Sequence, residues 1–338
     1  MRGWGVSLVL AGFALGPSGC VYVGGGINPF GERRQEFQET VVAGEGRNKI
    51  LLLDVTDVIT GREEQGALGL GTEESTVARV EEALRRAAAD DRVRAVVVRI
   101  DSPGGGVTAS DAVYREIIRF REETERPVVA ELMDLATSGA YYVALAADRI
   151  MANPTTVTGS IGVILMGLNV EGLMGKLGIQ DQTVKSGAHK DLLSPFRRPS
   201  AKDREIVQGV IDELHGRFVS LVRERRPQVA AADLAELTDG RIFTASQAQA
   251  VGLVDDIGYV DEAIAKAQEA CGLEKASVIM YHRADEYREN VYSRGGATPR
   301  HSAARDRGWD ELGVTLALPQ RRGARFMYLW LPDLRVGR

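Results

Sequence analysis

The sequence predicts an α/β protein built on a mostly parallel sheet, and three stretches carry that expectation. KILLLDVTDVI (Lys49 to Ile59) and VRAVVVRI (Val93 to Ile100) are unbroken apolar runs rich in β-branched residues, the pattern of strands covered on both faces. Between them, Thr76 to Ala89 places Val77, Val80, Leu84, Ala87 and Ala88 at helical spacing. Strand, helix, strand is the signature of a parallel unit with a crossover helix.

The pattern continues along the chain. The second strand runs into DSPGGG (Asp101 to Gly106); Val107 to Arg121 then reads as a helix and PVVAEL (Pro127 to Leu132) as the next strand. LATSGAYYVALAAD (Leu135 to Asp148) follows, with Ser138-Gly139 at a strand-to-helix junction. RIMANP, GSIGVIL and IQDQTVKSG predict short strands, and Leu168 to Leu177 a helix among them. After the polar loop AHKDLLSPFRRPSAKD, the spacing predicts a long helix over Ala201 to Arg225 and a shorter one near Ala231 to Leu237. GRIFTASQAQAVGLVDDIG reads as strand, helix and strand, with Thr244 or Ser246 as helix cap. Asp261 to Ala270 predicts a helix and SVIMY (Ser277 to Tyr281) a final strand.

The ends read differently. Arg2, a short apolar run from Val6 to Leu15, then Pro17, Ser18, Gly19 and Cys20 make residues 1–19 an export signal, too short for a membrane-crossing helix. Small residues before a cysteine resemble a bacterial lipoprotein signal, in which cleavage leaves Cys20 lipidated at the new N-terminus; Pro17 departs from the aliphatic residue usual at its position. Residues 20–48, rich in Gly and charge, are expected to be a flexible tether, 49–283 one folded domain, and 284–338 a tail. In that tail ARFMYLWLP (Ala324 to Pro332) stands out, its apolar segment being 324–332. It is suited to completing a sheet edge, packing on a neighbouring protomer, or lying in a substrate groove as an extended peptide.

With only Cys20 and Cys271, a lipidated Cys20 leaves no intramolecular disulfide, so an exported chain would rely on its core alone. The formal charge of -5 gives no electrostatic reason to expect nucleic acid as a partner. DSPGGG lacks the Lys-Ser/Thr ending of a P-loop and the spacing of a dinucleotide loop. No HExxH, no CxxC and no close His/Asp/Glu grouping suggests a metal, and no cofactor is expected. What remains is acyl chemistry by side chains. Ser138 suits either a helix N-cap or a nucleophile beside free N–H groups; three consecutive glycines suit a tight turn or an oxyanion hole. A base is needed, and His189 and its neighbour Lys190 are the better-placed candidates, a lysine serving when burial disfavours its ammonium form.

Taken together and in order, DSPGGG, TSGAYYVALAAD, TGSIGVI (Thr158 to Ile164), KSGAHKDLLSP (Lys185 to Pro195) and DGRIFTASQAQAVGLVDDIG resemble the bacterial signal peptide peptidase A, or protease IV, family of single-domain type. The resemblance implies a ClpP/crotonase-like fold of repeated ββα units. It implies Ser138 as nucleophile, Lys190 as general base, Ser160 as the residue orienting that lysine, and backbone N–H groups of Gly105 and Gly139 as oxyanion donors. It also implies a ring-shaped homo-oligomer in which serine and lysine come from adjacent protomers. The expected enzyme is a serine endopeptidase of the bacterial cell envelope, held to the membrane on its outer side and degrading cleaved signal peptides or other apolar peptides. One motif residue departs: the second glycine after the nucleophile is Ala140, which is harmless if that position is helical. The other reading is a lipoprotein scaffold of the same fold whose site has decayed.

Overall fold

A computed structural model describes residues 37–65, 72–284, 286, 288–293 and 326–330. The export signal and Cys20 lie outside the described residues. In chain order the elements begin with β1 (Gln38–Gly44), β2 (Lys49–Thr56), the short pair β3 (Glu64–Gln65) and β4 (Thr72–Glu73), α1 (Thr76–Ala89), β5 (Val93–Ser102), β6 (Gly104–Gly106) and α2 (Val107–Thr124). Then follow β7 (Val128–Thr137), α3 (Gly139–Ala144), β8 (Arg149–Ala152), β9 (Val157–Gly159), β10 (Ile164–Leu165) and α4 (Glu171–Lys176). The rest are α5 (Ala201–Arg225), α6 (Leu234–Leu237), β11 (Ile242–Thr244), α7 (Ala245–Ala250), β12 (Asp256–Ile257), α8 (Val260–Ala270), β13 (Ser277–His282) and β14 (Phe326–Leu329).

The main sheet runs β1-β13-β2-β5-β7-β8-β12, parallel from β13 to β12, with β1 antiparallel at one edge. This is the α/β, mostly parallel architecture that the sequence predicts. Its two faces explain the apolar runs. Leu51, Leu53, Val96 and Val98 face α1, α2 and α3 in the larger core, whereas Ile50, Leu52, Ala95 and Val97 face Val260, Ala263, Ile264 and Ala267 of α8. Alternate residues of one strand thus serve two cores, so neither face can be polar.

One strand does two jobs. The first half of β7 pairs with β8 (Val129 to Leu132), the second half with β9 (Leu135 to Thr137). Between them the register against β5 jumps from Ile100–Leu132 to Ser102–Ala136, so Met133, Asp134 and Leu135 lie opposite Asp101 alone. The Asp101 carboxylate accepts the Leu135 N–H at 3.2 Å across this bulge. The bend swings the end of β7 away from β8 and delivers Ser138 to the sheet's rim.

Three expectations need correction. Gln38–Gly44, expected within the tether, is strand β1, paired antiparallel to β13. Its outward side is exposed, which is why it reads as polar linker rather than strand. Residues 179–187, expected to be a strand, have no regular structure and are exposed; among the described residues no neighbouring strand pairs with them. The stretch after 283 does not leave the body at once. Arg79 of α1 forms a two-pronged pair with Glu286 at 2.7 and 2.6 Å, and Arg99 of β5 donates to the Val291 and Ser293 carbonyls. Charge pairing, not apolar period, fixes this stretch.

Candidate active site

The site forms where β5 and β7 end side by side, at the edge to which a parallel sheet delivers its loops. At the end of β5, Ser102 is fully buried; its hydroxyl donates to the Asp57 carbonyl at 2.5 Å and accepts the Gly104 N–H at 3.1 Å. Ser102 is thereby a brace for the Gly-rich loop. Ile59 pins the loop from the other side, its N–H donating to the Gly104 carbonyl at 2.9 Å and its carbonyl accepting the Gly106 N–H at 3.1 Å. Gly104 has φ +98°, which only glycine adopts without strain.

Ser138 stands at the β7–α3 junction with φ 56° and ψ −116°, a backbone conformation that costs on the order of 1–3 kcal/mol for a residue with a side chain. The strain is held by backbone bonds: the Ser138 N–H donates to the Gly159 carbonyl at 2.7 Å, and its carbonyl accepts the Tyr142 N–H at 2.9 Å, opening α3. Its hydroxyl makes no helix-capping bond, so the N-cap reading does not describe this serine. Ser160 follows Gly159 directly and is itself at φ 50°, its N–H donating to the Arg241 carbonyl at 2.7 Å. Ser138 and Ser160 therefore meet through one peptide unit. Ala140 occupies the first turn of α3, fully buried, where alanine favours the helix.

The glycines report how closely the backbones approach. A Cβ on Gly104 would lie 2.8 Å from the Gly139 nitrogen and 2.1 Å from the Tyr328 carbonyl oxygen. On Gly139 it would lie 3.1 Å from the Gly105 nitrogen, 3.1 Å from that same Tyr328 oxygen and 2.4 Å from the Ser110 hydroxyl. The Gly105 and Gly139 nitrogens and the Tyr328 carbonyl oxygen thus lie close to one another, next to Ser138. That oxygen belongs to β14, which pairs antiparallel with β6 so that Tyr328 faces Gly105 and Leu329 faces Gly104. Of the three roles open to the C-terminal apolar segment, this pairing is the sheet edge.

No hydrogen bond joins Lys190 to Ser138 among the described residues. Lys190 lies on an arm between β10 and α5, exposed, and its amine makes no hydrogen bond or ion pair among the described residues. The arm is tied at its base by charge: Arg197 bridges Asp191 and Asp203 at 2.7 and 2.6 Å, and Lys185 reaches Asp191 at 2.7 Å. These cations hold both carboxyls well below the usual carboxylate range, Arg197 being the largest influence on each. His189, the other candidate base, spends its Nδ1 on Asp203 at 2.7 Å, in the first turn of α5. His215 bonds the Thr238 carbonyl and His282 bonds Thr40 and the Arg283 carbonyl, while His301 lies outside the described residues. Around the site, sequence reasoning missed Ser110, a fully buried hydroxyl with no partner among the described residues, and the pairing of Tyr142 with Phe218. Only the tertiary approach of α2 and α5 to α3 reveals them.

Comparison with known proteins places these features in a family. The model of peptidase family S49 matches residues 121–274, a span holding Ser138, Ser160 and Lys190. A putative signal peptide peptidase SppA of Enterococcus faecium is 36% identical over 244 residues, covering 72% of this chain and 70% of that protein. Protease 4 of Salmonella typhi is 32% identical over 66% of this chain and 35% of its own length. The chloroplastic serine protease SPPA of Arabidopsis thaliana is 33% identical over 57% of this chain and 28% of its own length. With that extent of shared sequence and a strained serine at the end of its central strand, the chain belongs to peptidase family S49, the signal peptide peptidase A or protease IV family, and is a serine peptidase.

Proposed function

We propose that the chain is an envelope endopeptidase acting through a Ser138–Lys190 dyad completed between neighbouring copies, on apolar peptides such as cleaved signal peptides. The observation that carries this reading is the close approach of the Gly105 and Gly139 backbones beside Ser138, which brings near the serine the two N–H groups that an oxyanion site needs. In the reaction Lys190 takes the Ser138 proton, the alkoxide attacks the substrate carbonyl, and the two N–H groups hold the resulting negative charge. Lys190 returns the proton to the leaving amine; water, deprotonated by the same lysine, then releases the acyl group and restores Ser138. Ser160, one residue past the carbonyl that anchors Ser138, would orient the lysine.

Supply of the lysine by a second copy is supported by the surface of the arm. Leu168, Leu173, Leu177, Ile179 and Val184 are all more than half exposed, Val184 at 97%. A monomer rarely leaves so much apolar surface in one place. Burial of the arm against a neighbour would also desolvate Lys190, which is what frees an amine to act as base. Membrane attachment would come from Cys20 or its preceding apolar run, since no helix of the described residues is long and apolar enough to cross a membrane.

The test is hydrolysis of an apolar peptide by the purified protein beside Ser138→Ala and Lys190→Ala. Each single variant should be inactive, and mixing the two should restore part of the activity in mixed oligomers. Hydrolysis that survives either substitution would sink the dyad; absence of rescue in demonstrated mixed oligomers would sink the shared site.

A further inference from the structure

Ser110 of α2 is fully buried, and its hydroxyl has no hydrogen-bond partner among the described residues. A helical serine ordinarily folds its hydroxyl back onto the carbonyl four residues earlier, here that of Gly106, and Ser110 does not. A buried hydroxyl without a partner is costly, and alanine would fill the same helical position without that cost. Close packing of α2 on α3 therefore leaves the oxygen unexplained.

The oxygen stands against the candidate centre. A Cβ on Gly139 would lie 2.4 Å from the Ser110 hydroxyl and 3.1 Å from the Gly105 nitrogen, so both groups border the space that the missing side chain leaves. Gly139 follows Ser138 directly. The hydroxyl is also rigidly mounted. Its neighbour Asp111 accepts the Tyr142 hydroxyl of α3 at 2.6 Å and the Arg217 guanidinium of α5 at 2.6 Å, which fixes α2 against both helices. Val107, Ala109 and Val113 anchor the same turns of α2 in the core.

We infer that the Ser110 hydroxyl is a third donor to the oxyanion, joining the Gly105 and Gly139 N–H groups when the Ser138 oxygen adds to the substrate carbonyl. The inference rests on the assignment of Ser138 and that N–H pair as the reacting centre. An oxyanion donor serves the oxygen of the tetrahedral state rather than that of the resting carbonyl, so a donor with no partner at rest fits the role. In the addition the carbonyl π pair moves onto oxygen, and Ser110 donates a hydrogen bond to it without giving up its proton. Its contribution therefore falls on kcat and spares KM.

The test separates this role from packing. In the full chain hydrolysing an apolar peptide, Ser110→Ala should lower kcat about a hundredfold, leave KM within about twofold, and keep or raise the melting temperature, since it removes an unpartnered buried hydroxyl. A peptide aldehyde gives the second readout: Ser138 adds its O–H across the aldehyde carbonyl, forming a hemiacetal whose oxygen takes the oxyanion's place. Ser110→Ala should weaken the aldehyde about tenfold and leave the affinity of the unreactive peptide alcohol of the same sequence unchanged. Unchanged kcat in Ser110→Ala would overturn the inference. So would equal weakening of aldehyde and alcohol, the mark of a packing defect. Full hydrolysis by Ser138→Ala would instead remove the reacting centre itself, so the two failures are told apart.

Discussion

The rim around Ser138 and the arm that carries Lys190 are built on opposite terms. At the rim Gly104, Gly106, Ser138 and Ser160 are pinned by backbone hydrogen bonds, a serine is held in a strained conformation, and Gly104, Gly105 and Gly139 leave no room for a single added carbon. On the arm from Leu168 to Ser200, side chains are largely exposed, order comes from charge at the base, and the apolar residues face outward. On the reading proposed above, one half of the site is complete in a single chain and the other would be finished by contact with a neighbour.

The sharpest way to break the comparison is to charge the arm. Val184→Asp together with Leu173→Glu should disperse the assembly and reduce hydrolysis by roughly a thousandfold or more, the scale of losing a catalytic base. Light scattering would read the mass, and thermal melting of the dispersed chain should stay within about 0.5 kcal/mol of the parent, as exposed substitutions do. An active monomer would refute the division of labour. On the rim, Gly139→Ala should lower kcat by about a hundred- to a thousandfold while assembly persists, because the new methyl enters the space between the Gly105 nitrogen, the Ser110 hydroxyl and the Tyr328 carbonyl. Steady-state kinetics with a mass measurement separates this from the arm variant.

Acid and alkali should also tell the two regions apart. Glu131 lies fully buried in β7, and burial, with the carboxylates of Glu262 and Asp261 adding to it, pushes its pKa up to about 9. The folded chain therefore keeps a proton that the unfolded chain has released above its ordinary value of 4.5, and stability declines as pH rises from there to about 9. The melting temperature should fall by roughly 5 °C or more across that window, and Glu131→Gln should flatten the fall. The arm behaves in the other sense. Asp203 is held below the usual range, foremost by Arg197, so its contribution is present at neutral pH and is lost only at strongly acid pH. The smallest effect expected is from Asp203→Ala, which removes one half of the capping box of α5 and should be seen as fraying of that helix by amide exchange.

How much of this was legible in the sequence depended on whether the information was local. β2 and β5 announced themselves because both of their faces are apolar, and α1 and α5 matched their periodic stretches residue for residue. Ser138, Gly139 and Gly105 were legible as a group because each follows directly on a recognisable strand. β1 was missed because an edge strand with an exposed side has the composition of a linker. Residues 179–187 were misread because β propensity means little without a partner. The aromatic cluster of Tyr142, Phe218 and Tyr328 was invisible: its members come from widely separated parts of the chain and carry no shared pattern.

The bulge in β7 has a consequence for how this protein can change. The strand belongs to the core up to Leu132 and to the site from Leu135 onward, with Met133 and Asp134 as slack between the two ladders. Deleting one residue of that slack would advance the serine by about 3.3 Å and turn it to the opposite side, since side chains alternate along a strand. The Val129 to Leu132 ladder would keep its register. Fold and candidate site are thus coupled through a joint of adjustable length, and a lineage or a designer can displace Ser138 there while the sheet that carries it stays whole.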